Sequence, residues 1–313
     1  MFRKRSIPVR RAGFRRKRIF KKAIFVAVIL VLLSLLPAFF IERRGQNINE
    51  RRMLRELFES GSFEKSFEQS REMLERNPLD FITLKIHGFS AYQLALAQIN
   101  SFDTLYFIDE SIWTLRRALL VRGNSPQIFY VLGKAYYYKG QGYADLAVKY
   151  LEKARAAGFN ASDIPEYLGL AYAALGDYRS SVAAFSLALT AGGNSQAPSD
   201  VLLLSIARSY LSLQEFDKAR SYLVHTIDIS RDVRTKTVAR LLLGNVLIQT
   251  GDLYGAEAEF LRLLEESGEN AEAHFQLGEL YAMQGDMTRA RAEWRRALRI
   301  NPAHGPARNR LSL

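Results

Sequence analysis

The sequence predicts an all-α protein: about seven helix–turn–helix units in tandem, preceded by a single transmembrane helix. Three observations carry this. A pattern of small and bulky residues recurs roughly every 34 residues through most of the chain. An unbroken apolar run stands near the start, and the chain's excess positive charge lies ahead of that run.

The 313 residues are 48% hydrophobic and 24% charged, the balance of a folded protein and not of a disordered one. There is no cysteine, which excludes a disulfide framework, a thiolate metal site, a cysteine nucleophile and a lipidated cysteine anchor. The net charge of +12 is unevenly spread. Residues 1–22 hold eleven Lys or Arg and no acid, leaving 33 basic residues against 32 acidic ones in the rest. The basic character therefore belongs to an amino-terminal arm. Its few aromatics (Phe2, Phe14, Phe20) sit outside any fold, so no nucleic-acid partner is expected.

Residues Ala23 to Ile41 read AIFVAVILVLLSLLPAFFI, without a charge. As a helix this run reaches roughly 28 Å, close to the ~30 Å hydrocarbon core of a bilayer. Its end, Leu36-Pro37-Ala38-Phe39-Phe40, lacks the alternating small residues of a signal-peptidase site, which favours an uncleaved signal anchor. The positive-inside bias keeps the arm 1–22 in the cytoplasm. Residues 42–46 are a linker, and everything beyond is expected on the extracytoplasmic, periplasmic side of the inner (cytoplasmic) membrane.

The last full unit shows the repeat most clearly. Leu277-Gly278, Tyr281, Gly285-Asp286, Ala290, Trp294, Ala297 and Asn301-Pro302 follow one another across residues 271–304. Leu243-Gly244 with Gly251-Asp252, Ala256 and Phe260 repeats it from 237, and Ile206-Ala207 with Ala219 and Leu223 from 200. Leu168-Gly169 with Gly176-Asp177 and Phe185 gives a unit from 162, and Leu132-Gly133 with Ala147 and Leu151 one from 126. His87-Gly88 with Leu115 and Ala118 starts a looser unit at 81. A first unit from 47 carries Leu54 in the small-residue place. Small residues let two antiparallel helices approach, and bulky ones fill the gaps between neighbours.

This pattern resembles the tetratricopeptide repeat (TPR) over residues 47–304, and the whole chain resembles the membrane-anchored TPR proteins of bacterial envelopes. The resemblance implies a right-handed TPR superhelix whose first helices line a concave groove. It also implies adaptor roles in secretion, outer-membrane assembly, cytochrome maturation or cell-wall construction, without choosing among them. On that frame the groove candidates are Phe89, Tyr92, Gln127, Tyr130, Lys134, Tyr137, Tyr138, Arg208 and Asn245. Tyr and Arg are the residues that anchor interfaces. Intramolecular covering of the second unit is the other reading of the tyrosines.

Three irregularities stand out. About eleven extra residues around Asn100–Asp109 are expected to lengthen both helices of the second unit. The run Gly192 to Ser199 reads as a hinge. The tail 305–313 is short for a solvating cap and offers an edge through which a second copy could stack.

No chemistry is legible. His87, His225, His274 and His304 are scattered, and no phosphate loop, nucleophile elbow or metal motif occurs. The expectation is a non-enzymatic scaffold with no cofactor and no metal, binding protein partners. The alternatives are a self-associating structural protein, or the same solenoid facing the cytoplasm.

Overall fold

The computed structural model describes residues 48–98, 101–191 and 198–312. The arm, the apolar run, the linker and most of the glycine-rich stretch fall outside these residues. Among the described residues no helix is long and apolar enough to cross a membrane.

Fifteen helices follow one another among the described residues: α1 (48–59), α2 (Phe63–Arg76), α3 (Phe81–Ala97), α4 (Ser101–Val121), α5 (Pro126–Lys139), α6 (Ala144–Ala156), α7 (Ile164–Ala174), α8 (Tyr178–Ala191), α9 (Asp200–Ser212), α10 (Phe216–Ile229), α11 (Val233–Gln249), α12 (Leu253–Ser267), α13 (Ala271–Met283), α14 (Met287–Ile300) and α15 (Gly305–Ser312). From α2 onward each helix packs on the next. The odd-numbered helices from α3 to α11 also touch one another, so they form a continuous layer with the even-numbered helices stacked behind it. This is the all-α TPR-like solenoid.

The small residues act at the crossing within each pair. A Cβ on Gly133 would meet Leu151 at 2.5 Å, one on Gly169 would meet Phe185 at 2.4 Å, and one on Gly244 would meet Phe260 at 2.3 Å. The partners Leu151, Phe185 and Phe260 are fully buried. In α9 the place is taken by Ala207, also fully buried and clustered with Leu223. The Gly-Asp pairs do a different job. Gly251 and Gly285 turn the chain through φ of 84° and 83°. Asp252 and Asp286 then cap the next helix, accepting from the backbone N–H of Gly255 and Arg289 at 2.9 Å each.

The extra residues of the second unit lengthen both its helices, to 17 residues in α3 and 21 in α4. Helix α11 begins at Val233, four residues ahead of the start read from the repeat, because Asp232 caps it by accepting from Thr235 N–H at 2.8 Å. The tail forms the two-turn α15, which packs on α14, buries Ala307 and ties Arg310 to Glu279 at 2.8 Å.

Several charged and polar groups inside the array are paired. Arg240 and Glu259, each 9% exposed, meet at 2.7 Å, and one repeat later His274 and Glu293 meet at 2.6 Å in the same register. Arg240 also holds Glu266 at 2.6 Å. His87 is buried between Ser70 (2.8 Å) and Glu110 (3.2 Å). These histidines are spent on packing.

Candidate functional site

The layer of odd-numbered helices carries seven of the nine candidate groove residues on α3 and α5, with Arg208 on α9 and Asn245 on α11. A first group lies around the amino-terminal half of α5. Phe89, Gln127 and Tyr130 line a cavity of about 520 Å³ together with Arg55, Phe58, Phe81, Lys85 and Phe159. Lys85 donates to the Gln127 side-chain carbonyl and lies 5.4 Å over the Phe89 ring. Burial, and then the charge of Arg55, pull the Lys85 ammonium below the ordinary lysine value. Glu59 is the carboxylate in the wall of this cavity, and it stands more than 4 Å from both cations. The cavity is therefore aromatic, with two cations whose positive charge has no ion-pair partner among the described residues.

The second group is at the carboxy-terminal end of α5. Tyr137, Tyr138 and Arg208 line a cavity of about 610 Å³, whose floor includes Ala173, Phe185 and Ser209. Tyr138 shares a hydrogen bond with Tyr167 at 2.8 Å, and Tyr137 sets its ring edge-on to Tyr167 at 5.3 Å. Arg208 is exposed on α9 and lines this opening.

Between the two cavities sits Lys134, which is not a free groove cation. Its ammonium donates to Asp163 at 2.7 Å and to the Tyr130 hydroxyl at 3.0 Å, and Tyr130 in turn donates to Asp163 at 2.8 Å. It also lies 4.3 Å over the Tyr167 ring. Only 12% of the Lys134 side chain is exposed. Burial pulls its ammonium down, but the hydrogen bonds with Asp163 and Tyr130 outweigh that and hold it above the ordinary lysine value. Lys134 pins the third unit to the fourth.

Tyr92 is a correction. Expected on the groove surface, it is 4% exposed and belongs to the core between α3, α4 and α5. The α4 and α5 residues packed around it cover it, and its ring lies 6.3 Å from that of Tyr138. Burial pushes its phenol far up, and the hydroxyl has no hydrogen-bond partner among the described residues. Tyr137 is likewise half-buried and packs on this core. Asn245, on α11, is half-buried and stands apart from both cavities.

The sequence reading missed three contributors: Phe159, Asp163 and Tyr167. They come from the α6–α7 loop and the first turn of α7, where no repeat position is diagnostic. Asp163 faces Lys134 only because α7 stacks on α5. No group of three or more metal-ligating side chains gathers among the described residues.

Residues 241–304 match the family model described as the tetratricopeptide repeat. No curated protein matches the chain. Solved structures agree in fold. The C-terminal part of a TPR repeat-containing protein from Cytophaga hutchinsonii superposes with a TM-score of 0.60 at 16% identity, covering 84% of this chain and all of that one. PilF of Pseudomonas aeruginosa gives 0.53 at 14% identity, over 72% of this chain and 96% of that one. YrrB, a TPR protein with an unusual peptide-binding site, gives 0.50 at 20% identity, over 64% and 98%. These likenesses establish the fold.

Proposed function

We propose that this chain, a tetratricopeptide-repeat solenoid, is a membrane-tethered scaffold that holds a segment of a partner protein against its odd-numbered helices. One observation carries the reading. The cavity between α1, α3 and α5 is lined by Phe58, Phe89, Tyr130 and Phe159, and its cations Arg55 and Lys85 lack an ion-pair partner. An aromatic wall beside cations without a counter-charge is the composition of an interface anchor. The peptide-binding site named for YrrB supports this use of the fold.

The tether is the apolar run at 23–41, with the arm 1–22 in the cytoplasm and the solenoid on the periplasmic side of the inner membrane. Anchoring raises the effective concentration of partners beside the bilayer, so a modest groove affinity suffices. The repeat helices leave no second domain among the described residues, which supports a scaffold over an enzyme.

The test is photo-crosslinking in the native cell from a reactive residue at Gln127, which is exposed at the mouth of the cavity, against the same residue at Lys149 on α6. A protein adduct made from position 127 and absent from 149 is the expected result. Its identity names the partner, and its compartment tests the topology. Equal adducts from both positions would reject this cavity as the working surface, and self-adducts alone would transfer the role to self-association.

A further inference from the structure

Four contacts gather one end of the solenoid into a single edge. In the first turn of α1, Glu50 pairs with Arg76 at 3.0 Å and Arg51 with Asp80 at 2.9 Å. Arg117 of α4 donates to the Pro78 carbonyl at 2.6 Å, and Arg122 stacks 4.6 Å over Phe81. The point where the chain enters the solenoid, the α2–α3 loop and the carboxy-terminal end of α4 are therefore neighbours.

This edge is unusually apolar for a surface. Leu120 is 85% exposed, Leu79 62%, Trp113 58% and Ile48 58%. Arg117 lies 4.3 Å over the Trp113 ring, and neither Arg117 nor Arg122 has a carboxylate within ion-pair distance among the described residues. Exposed Trp and Leu beside unpaired Arg is the chemistry of a bilayer interface, where aromatic and apolar side chains settle at headgroup level and guanidinium groups meet phosphate.

The chain's length supplies the occupant. Six residues, 42–47, separate the apolar run from the first described residue, and fully extended they reach at most about 20 Å. If 23–41 spans a bilayer, the start of α1, and with it this edge, is held within about 20 Å of the lipid surface.

We infer that the edge formed by Ile48, Leu79, Trp113 and Leu120 rests on the bilayer, with Arg117 and Arg122 against anionic headgroups. The inference depends on the proposed span. It gives the solenoid a fixed posture at the membrane in place of a free tether.

The test uses the full chain in nanodiscs of phosphatidylcholine and phosphatidylglycerol. Tryptophan emission is compared with that of Trp113→Phe, which leaves the buried Trp294 as background. Co-elution with the discs reports the span independently. With the chain retained, the Trp113 emission should be quenched by lipids brominated near the headgroup, and Arg122→Glu should lose much of that quenching while still co-eluting. A retained chain whose Trp113 emission ignores bromination overturns the inference and leaves the anchor standing. A blue-shifted but bromine-insensitive Trp113 also overturns it, assigning the face to a protein. A chain that the discs do not retain overturns both.

Discussion

Gly278→Ala adds one methyl where α13 crosses α14. The new Cβ would sit 2.4 Å from Cδ1 and Nε1 of Trp294 and 3.1 Å from the Ala290 carbonyl. Carbon atoms rest about 3.5–4 Å apart, so the indole must retreat by about 1 Å. It has nowhere to go, because Trp294 is 2% exposed. Overpacking of this kind costs about 1–3 kcal/mol, while replacing a mid-helix Gly by Ala gains about 1 kcal/mol. The net expectation is about 0–2 kcal/mol of destabilisation. The fold supplies its own remedy, since Ala207 already faces Leu223 in the equivalent crossing and both are fully buried. Trp294→Leu alone should cost about 2–3 kcal/mol through the cavity it leaves. The double variant should be about 1 kcal/mol better than the two single losses added together. Urea unfolding followed by far-ultraviolet circular dichroism measures all three, with hydrogen exchange in α13 and α14 as the local check. Gly278→Ala stabilised by about 1 kcal/mol, as helix propensity alone would give, refutes the close-approach reasoning.

Other outcomes are expected from the same reading. Tyr92→Phe removes a buried hydroxyl that has no partner, so stability should hold or rise slightly by urea midpoint, and crosslinking from position 127 should not change. Gln214 turns the chain at φ 59°, where the neighbouring repeats use Gly. Gln214→Gly should therefore stabilise by about 0.5–1 kcal/mol, read as a raised Tm. Asp163→Ala leaves the Lys134 ammonium without its carboxylate and should cost about 2 kcal/mol in urea unfolding. The Lys134 ammonium is held above its ordinary value of 10.5, so its contribution is complete below that pH and fades as pH rises through the raised value. Alkaline unfolding of the wild type, compared with Asp163→Ala, should show that loss in the wild type alone. Glu110 runs the other way. The hydrogen bond from His87 holds its carboxyl below 4.5, so its contribution is present above that pH and is lost on acidification, which His87→Phe should abolish.

The sequence by itself determined the array. Gly133, Gly169, Gly244 and Gly278 announce the close crossings, and the Gly-Asp turns announce the caps, because both requirements fall on a single residue type at a fixed spacing. The lengthening of α3 and α4 was equally legible, as added helical turns preserve which face is apolar. What the repeat pattern could not reveal is which surface residues are spent within the fold. Tyr92 reads as a groove residue until α4 and α5 close over it, and Lys134 reads as a free cation until α7 brings Asp163 to it. Phe159 joins the aromatic wall from a loop whose position depends on how α7 stacks on α5. A periodic signal reports the contacts of a residue with its own pair of helices. Contacts between successive pairs depend on the rotation from one repeat to the next, and only the tertiary structure decided those.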